Sequence, residues 1–244
     1  MKSLKMTRLD VYLKDYFKTR TKAQDAIKEG RIKVNDIVIR KPGFDVSEND
    51  TVYIEPISQV YVSRAAYKLL AAFDAFQIDI KDQVVLDIGA STGGFTQVCL
   101  DHGAKKVYAL DVGHLQLDAD LEKDERIVKM EGYNARHIDS KDFKEYIDFI
   151  CMDVSFISSK TILEALFEKL SFKHIAFLIK PQFECGPQAL DKHGVLKNKK
   201  IEEQIVIDLK RYMMRYFRQV QTIKSPIKGR QGNQEYVLYA KEVR

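Results

Sequence analysis

A buried strand followed by a glycine-rich turn is the feature that most restricts how this chain can fold. The run 84–88 (VVLDI) is apolar except for Asp87, which suits a strand covered on both faces of a parallel sheet. Gly89, Gly93 and Gly94 follow, and they allow a tight turn and a close backbone approach to a ligand. Their spacing is not the dinucleotide-binding pattern G-x-G-x-x-G. The pattern predicts a strand, a turn and a helix start that hold a ligand, and the alternative is a tight turn with no ligand.

A second acidic residue supports the ligand interpretation. Asp111 ends the next apolar run, 107–110, and lies 24 positions after Asp87. In doubly wound nucleotide-binding sheets a carboxylate at this place accepts hydrogen bonds from a ribose. We therefore expect a cofactor that contains a nucleoside.

The second part of the chain alternates between predicted strands and helices. This alternation predicts an α/β fold with a doubly wound, mostly parallel seven-stranded sheet. The seven strands are expected to start near Val84, Val107, Ile127, Ile147, Ile175, Val220 and Tyr236. Ligands bind such sheets at the carboxyl ends of the strands, where Gly89, Asp111, Asp153 and Lys180 fall.

Composition excludes several classes of protein. No apolar run is long enough to span a bilayer, and residues 1–5 lack the apolar core of a signal peptide, so we expect a cytoplasmic protein with no integral membrane association. Cys99, Cys151 and Cys185 are widely spaced, which disfavours a disulfide framework or a metal site; we predict no metal, and Cys151 in the core. The oligomeric state stays open.

The positive charge is concentrated in two segments. Residues 1–41 hold 12 Lys and Arg against 5 Asp and Glu, and residues 197–230 hold 10 against 3. The intervening residues, 42–196, hold 16 against 25. This distribution favours a polyanionic partner contacted at two places, although a solvated charged face explains either cluster alone.

The first 55 residues predict a small basic module. Thr7 followed by Asp10 predicts a capping-box-like start to a first helix, with Leu9, Tyr12, Leu13, Tyr16 and Phe17 on one face. A second helix is expected to run from Thr21 to Glu29 and stop at Gly30. Three short strands follow. The basic residues expected to stay exposed and bind RNA are Arg8, Arg20, Lys22, Lys28, Arg31 and Lys33.

The segment that begins at Arg8-Leu9-Asp10 and ends at Gly30-Arg31-Ile32-Lys33-Val34-Asn35 resembles the S4 RNA-binding module. The alternative is a basic helical cap that only stabilises its neighbour. The resemblance implies an S4-like domain over residues 1–58. Because Pro56 breaks local structure, we predict a linker over 59–62 and a second domain over 63–244.

Four ionisable residues interrupt apolar sequence in the second part of the chain. Lys68 lies in a largely apolar helix, Asp153 and Lys180 each end an apolar strand, and Glu235 precedes the last strand. Each alone can be the point where a buried strand reaches the surface. Together they form two lysines and two carboxylates that can meet at one crevice.

The runs 63–69 (SRAAYKL), 86–96 (LDIGASTGGFT) and 178–184 (LIKPQFE) resemble the FtsJ-type ribose 2′-O-methyltransferases. With the S4-like module, ALDVG at 109–113 and MDVSFIS at 152–158, the whole chain resembles the TlyA family of hemolysin-like proteins and rRNA cytidine 2′-O-methyltransferases. The resemblance implies S-adenosylmethionine as cofactor, ribosomal RNA or ribosomal subunits as partner, and Lys68, Asp153, Lys180 and Glu235 as the catalytic set. It implies cofactor binding by Asp87, Gly89, Ala90, Ser91, Thr92, Gly93, Gly94, Phe95, Asp111, Val112, Asn134 and Asp153.

We assign Lys180 as the base that activates the ribose hydroxyl, because burial and a neighbouring ammonium, here that of Lys68, lower the pKa of a lysine in general. Three other functions remain open. Methylation of a base nitrogen is disfavoured, because Asp153-Val154-Ser155-Phe156 replaces the Asn/Asp-Pro-Pro-Tyr-like sequence of such enzymes. The others are a non-catalytic RNA-binding or ribosome-assembly factor that retains the methyltransferase fold, and a hemolysin-like membrane activity. The one long basic helix, predicted near Ile201 to Phe217, is interpreted as amphipathic core packing and not as a membrane-bound helix.

Overall fold

The computed structural model describes residues 6–55, 61–114 and 116–244. The chain divides into two compact units, Met1–Val60 and Tyr61–Arg244. Pro56 and part of the predicted linker lie outside the described residues.

The first unit is a small α+β module. Its elements are β1 (Thr7–Arg8), α1 (Leu9–Tyr12), α2 (Arg20–Glu29), β2 (Ile32–Val34), β3 (Ile37–Ile39), β4 (Asp45–Val46) and β5 (Val52–Ile54). Strand β2 pairs antiparallel with β3 and β5, and β1 pairs antiparallel with β4. The core lies between the α2 face formed by Ala23, Ala26 and Ile27 and the inner side chains Ile32 and Val34 of β2.

Helix α2 ends as its sequence predicts. The Thr19 hydroxyl accepts the N–H of Lys22 at the first turn, and Gly30 stops the helix with φ +82°. Asn35 and Asp36 both have positive φ and join β2 to β3 in a tight hairpin.

The prediction for the first helix is wrong. Helix α1 contains four residues, and of the five side chains expected on one face Leu9 and Leu13 are buried whereas Tyr12 and Tyr16 are exposed. Asp10 is not a capping residue, because its buried carboxylate accepts hydrogen bonds from Arg8, Arg20 and Gln24. This buried polar centre holds the segment in place of a longer amphipathic helix.

The second unit contains the predicted seven-stranded sheet. Its elements are α3 (Ala66–Phe76), β6 (Val84–Ile88), α4 (Gly94–Asp101), β7 (Lys106–Asp111), β8 (Ile127–Glu131), β9 (Phe149–Met152), α5 (Ser159–Lys169), β10 (His174–Ile179), α6 (Pro181–Glu184), α7 (Lys199–Met213), β11 (Phe217–Lys224) and β12 (Tyr236–Val243). Short 3₁₀ helices cover Leu121–Lys123, Ala135–His137, Ser140–Asp142 and Pro187–Ala189.

The strand order is β11-β12-β10-β9-β6-β7-β8, and β12 runs antiparallel to both of its neighbours, β11 and β10. The chain moves outward from β6 to β7 and β8 and then returns to the other side of β6 at β9. The carboxyl ends of β6 and β9 therefore flank the point where the strand order reverses, which is where open α/β sheets bind ligands.

Both faces of the sheet are covered, as the apolar strands predict. Leu86 and Ile88 pack in a core with α5 and α7, whereas Val85 packs in a second core with α3 and α4. Cys151 lies in this second core, as expected.

Some strand and helix limits differ from the prediction. The fourth strand starts at Phe149, the sixth starts at Phe217, and the long helix expected near residues 201–217 is α7, which ends at Met213. The predicted helix is too long because the apolar pattern of α7 continues past its last residue, Met213. Phe217 continues that pattern and is also buried, but it is the first residue of β11.

Candidate active site

The four ionisable residues singled out in the sequence meet at the carboxyl edge of the sheet. Asp153 follows β9, Lys180 follows β10 and Glu235 precedes β12, and these three strands are adjacent. Lys68 reaches the same place from α3. Lys68, Lys180 and Glu235 are buried, so their charges are neutralised by partners and not by bulk water.

The charged groups form a continuous chain of ion pairs, which we call the tetrad. Lys180 Nζ lies 2.5 Å from Asp153 Oδ1, and Lys68 Nζ lies 2.6 Å from Glu235 Oε2. Lys68 Nζ is also 3.9 Å from Asp153 Oδ2, so Asp153 lies between the two lysines. The arrangement holds both ammonium groups within one crevice, with a carboxylate to orient each.

Two residues that the sequence did not reveal support the tetrad. Lys180 Nζ donates to Ser155 Oγ at 2.8 Å, which fixes the direction of the amine. Glu184 accepts the hydroxyl of Ser158 at 2.5 Å and the N–H of Ser159 at 2.7 Å. It therefore ties the loop after β9 to the segment after Lys180.

An exposed aromatic side chain stands beside the crevice. Phe156 is 88% exposed and has φ +64°, an unfavourable conformation for a residue with a Cβ. Its ring lies 5.1 Å from that of Phe183, and Lys180 Nζ lies 6.0 Å from the Phe183 ring centroid. A strained and exposed aromatic residue next to buried charges is characteristic of a ligand-binding position.

The glycine-rich turn follows β6 at the neighbouring strand end. Gly89 has φ +81°, and a Cβ there would lie 2.6 Å from the backbone oxygen of Asp153. Gly93 has φ +94°, and a Cβ there would meet the side chains of Leu117 and Leu121. The backbone conformation and the apolar packing therefore both favour glycine at residue 93, and its contact with the cofactor stays a prediction.

The predicted ribose acceptor is held firmly at the end of β7. Asp111 Oδ2 accepts the N–H of Ser91 at 2.8 Å, and Oδ1 accepts the N–H of Gly113 at 2.7 Å. Each oxygen retains a lone pair for a further donor. The next residue, Val112, is 71% exposed and offers an apolar contact beside the carboxylate.

The other predicted cofactor residues are distributed between the turn and the core. Ala90 lies in the turn and Gly94 is the first residue of α4, and both are buried. Thr92, between them, is exposed. Phe95 packs in the core against α3, so the structure does not bring it to the crevice. Asn134 is half-buried and accepts the N–H of Arg136, which starts a 3₁₀ helix.

The predicted RNA-binding residues are not equally free. Arg8 and Arg20 both pair with buried Asp10, and their hydrogen bonds hold the pKa of that carboxyl far below its usual range. Arg31 pairs with Glu29 and lies over the Phe17 ring, and Lys33 lies over the Tyr53 ring, so neither is fully exposed. The two exposed lysines of the set are Lys22 and Lys28.

Comparison with known families agrees with this geometry. The FtsJ-like methyltransferase family model matches residues 61–242. The chain belongs to the FtsJ-like methyltransferase family. An S4 domain model matches residues 7–52. As a member of the FtsJ-like family the chain is a methyltransferase, and its cofactor is S-adenosylmethionine.

Relatives of this FtsJ-like protein extend over nearly the whole chain. It is 41% identical to hemolysin A of Brachyspira hyodysenteriae, over 95% of this chain and 98% of that one. It is 36% identical to the 16S/23S rRNA (cytidine-2′-O)-methyltransferase TlyA of Mycobacterium tuberculosis, over 91% and 84% of the two chains. The solved structure of a "Putative hemolysin" from Streptococcus thermophilus aligns with a TM-score of 0.73 at 34% identity, covering 98% of this chain and 90% of that one.

The residues at the carboxyl edge fit the FtsJ-like cofactor. The Asp111 carboxylate suits the hydroxyls of a ribose, and the Val112 side chain suits the face of an adenine. Within residues 6–55, 61–114 and 116–244 no three His, Cys, Asp or Glu side chains are arranged to hold a metal ion. Among the same residues no helix is long and apolar enough to cross a membrane.

Asp87 lies beneath the glycine turn, and we predict that it makes stability depend on pH. It is fully buried, Thr96 donates to its Oδ2 at 2.6 Å, and burial raises its pKa from 3.8 to about 7. The folded state therefore binds this proton more tightly than the unfolded state does. The resulting contribution to the free energy of unfolding is complete below about pH 4 and is lost as pH rises to about 7. Asp87→Asn cannot ionise, so its free energy of unfolding relative to the parent should rise by at most about 1.4 kcal/mol per pH unit over this range.

Denaturant unfolding of both proteins from pH 4 to pH 8 measures this difference. Asp124→Asn is the matched control, because hydrogen bonds from Arg126 lower the pKa of Asp124 and the carboxylate is ionised throughout that range. A difference between parent and Asp87→Asn that stayed constant with pH would show that Asp87 is ionised in the folded protein.

Proposed function

We propose that this protein transfers a methyl group from S-adenosylmethionine to the 2′-hydroxyl of a ribose, that of a cytidine, in ribosomal RNA. The observation that carries the proposal is the convergence of Lys68, Asp153, Lys180 and Glu235 in one crevice, next to the turn that follows β6. The name of the M. tuberculosis relative supports the choice of ribosomal RNA and of cytidine.

The tetrad supplies what attack by a ribose hydroxyl requires. The cofactor carries a methyl group on a sulfonium, which is a good leaving group, so the protein has to align the hydroxyl and remove its proton. Alignment at near-attack distance can contribute about 7–11 kcal/mol, and a positioned base about 10²–10⁴-fold in rate. We assign the proton to Lys180 Nζ, whose direction is set by Asp153 and Ser155.

The neighbouring residues have separate roles in this proposal. Asp111 would hold the cofactor ribose, and Val112 would contact the adenine. Phe156, exposed beside Lys180, would stack on the base of the target nucleotide, since unstacked RNA bases bind aromatic side chains. Lys68 and Glu235 would act through Asp153 as positioning residues.

The S4 domain would supply affinity for RNA. Lys22 and Lys28 are exposed on α2 and can contact phosphates directly. Arg8 and Arg20 combine an exposed guanidinium with a structural pairing to Asp10, so alanine substitutions of these two would disturb the fold as well as the RNA contact.

The decisive experiment is ribose-methylation mapping of ribosomal RNA from cells with and without the gene. We expect one or more cytidine 2′-O-methyl groups that disappear with the gene and return when purified protein and S-adenosylmethionine are added to the unmodified ribosomal subunits. Disappearance of a methyl group from a base nitrogen would assign a different acceptor. Identical methylation in both strains, with RNA binding retained, would leave a non-catalytic assembly role.

A further inference from the structure

A basic loop lies beside the tetrad. Residues 209–234 contain seven Lys and Arg and no Asp or Glu. The loop, residues 225–235, connects β11 to β12, and all of it except Glu235 falls within this stretch. Because β12 starts opposite Ile179, the last residue of β10, the loop lies at the carboxyl edge of the sheet, where the crevice is.

The loop touches the tetrad directly. Gly229 lies so close to Glu235 that a Cβ at residue 229 would be 2.6 Å from Glu235 Oε1. Lys228 and Arg230 flank this glycine, and both side chains are exposed. Two cations therefore stand at the rim of the crevice, one on either side of the backbone that contacts Glu235.

The loop is held in a defined conformation by internal hydrogen bonds. Gly229 N–H donates to Asn233 O at 2.9 Å, and Ser225 N–H donates to Glu235 O at 2.9 Å. The buried Asn233 side chain accepts the N–H of Leu196 at 2.9 Å and donates to Gly194 O at 3.0 Å. The cations are thus presented on a supported backbone, which reduces the entropic cost when a ligand binds.

Lys228 and Arg230 have no acidic partner within the described part of the chain, where no carboxylate lies within 4.0 Å of either. Many other cations do have one: Lys106, Lys129, Lys173 and Lys199 each pair with a carboxylate. Unpaired cations at the rim of a crevice attract anions, and the groups on either side of any ribose in RNA are phosphates.

We propose that Lys228 and Arg230 bind the RNA phosphates that flank the target ribose and so hold its 2′-hydroxyl against Lys180. The inference rests on the proposed function, and it adds a phosphate-binding site on the catalytic unit to the contact expected from the S4 domain. The two residues are positioning residues. They neutralise phosphate charge and fix the register of the strand, whereas the tetrad carries out the chemistry.

The test compares Lys228→Gln/Arg230→Gln with the parent in RNA binding across a salt series and in steady-state methylation of unmodified ribosomal subunits. We expect the slope of log affinity against log salt to fall by about 1.4, since each phosphate of a single strand that a cation neutralises adds about 0.7 to the slope. KM for the subunits should rise by about tenfold or more, with S-adenosylmethionine affinity unchanged. Lys228→Arg/Arg230→Lys, which keeps both charges, should recover most of the parent's affinity.

Lys81→Gln/Lys105→Gln is the matched control. Both lysines are exposed and lie just before β6 and β7, at the opposite edge of the same sheet, so the change in charge is equal and the distance from the crevice is large. If the loop variant matched this control in salt slope and KM, the inference would be overturned. If the parent itself did not methylate the subunits, the proposed function would fail, while the salt slopes would still decide whether the loop binds RNA.

Discussion

Lys180→Arg and Lys180→Met should both lose nearly all methyl transfer, by about 10²–10⁴-fold or more, while binding of S-adenosylmethionine and of ribosomal RNA persists. Arginine keeps the positive charge, but it does not release a proton near neutral pH, and its planar group does not match a single hydroxyl. Methionine keeps the length of the side chain and removes the amine. Single-turnover methylation of ribosomal subunits measures the chemical step directly, and calorimetry measures cofactor binding.

The same substitution at a lysine away from the tetrad separates loss of the base from a general effect of replacing lysine by arginine. Lys173→Arg is the matched control. Lys173 immediately precedes β10, the strand that Lys180 follows, and it also pairs with an aspartate, Asp148, at 2.7 Å. This control should keep the parent's rate.

Substantial activity in Lys180→Arg would contradict the assignment of the base. A cation would then suffice at this position, and the proton would have to leave through Asp153 or through water. Loss of cofactor binding in both variants would instead mean that Lys180 supports the crevice as a whole.

The position of the tetrad could be predicted from the sequence because it follows from strand ends. Asp153 and Lys180 each end an apolar run, and the carboxyl ends of parallel strands meet at one edge. Glu235 is the hardest of the four to place by sequence, because it lies 55 positions after Lys180. The antiparallel pairing of β12 with β10 brings its starting end to that edge.

The pairing within the tetrad could not be predicted, because it depends on side-chain and loop conformation. Nothing in the sequence determines that Asp153 lies between the lysines or that Ser155 fixes the amine of Lys180. The positive φ of Phe156 could not be predicted either, because a bulky residue rarely adopts that conformation.

One other prediction failed because the residue had a second possible role. The sequence predicts Asp10 as part of a helix cap, and it is instead the buried acceptor for two arginines. An aspartate is compatible with either role, and only tertiary contacts distinguish them.

Lys68→Met should destabilise the protein as well as inactivate it. The side chains of Lys68 and Glu235 are 11% and 4% exposed, so the substitution leaves a buried carboxylate without its cation. Removing one partner of such a pair typically costs about 3–5 kcal/mol. At about 2–4 °C per kcal/mol for a chain of this size, the midpoint of thermal unfolding should fall by roughly 6–20 °C.

The double variant Lys68→Met/Glu235→Gln separates the two effects. Removing both charges should restore most of the stability, because no buried charge then lacks a partner, whereas methyl transfer should remain low because Asp153 no longer has the neighbours that orient it. Lys106→Met is the control: its partner Glu145 is 31% exposed, so the fall in stability should be about 1 kcal/mol or less. A double variant with the parent's rate would mean that this pair only supports the fold, and that catalysis depends on Lys180 and Asp153 alone.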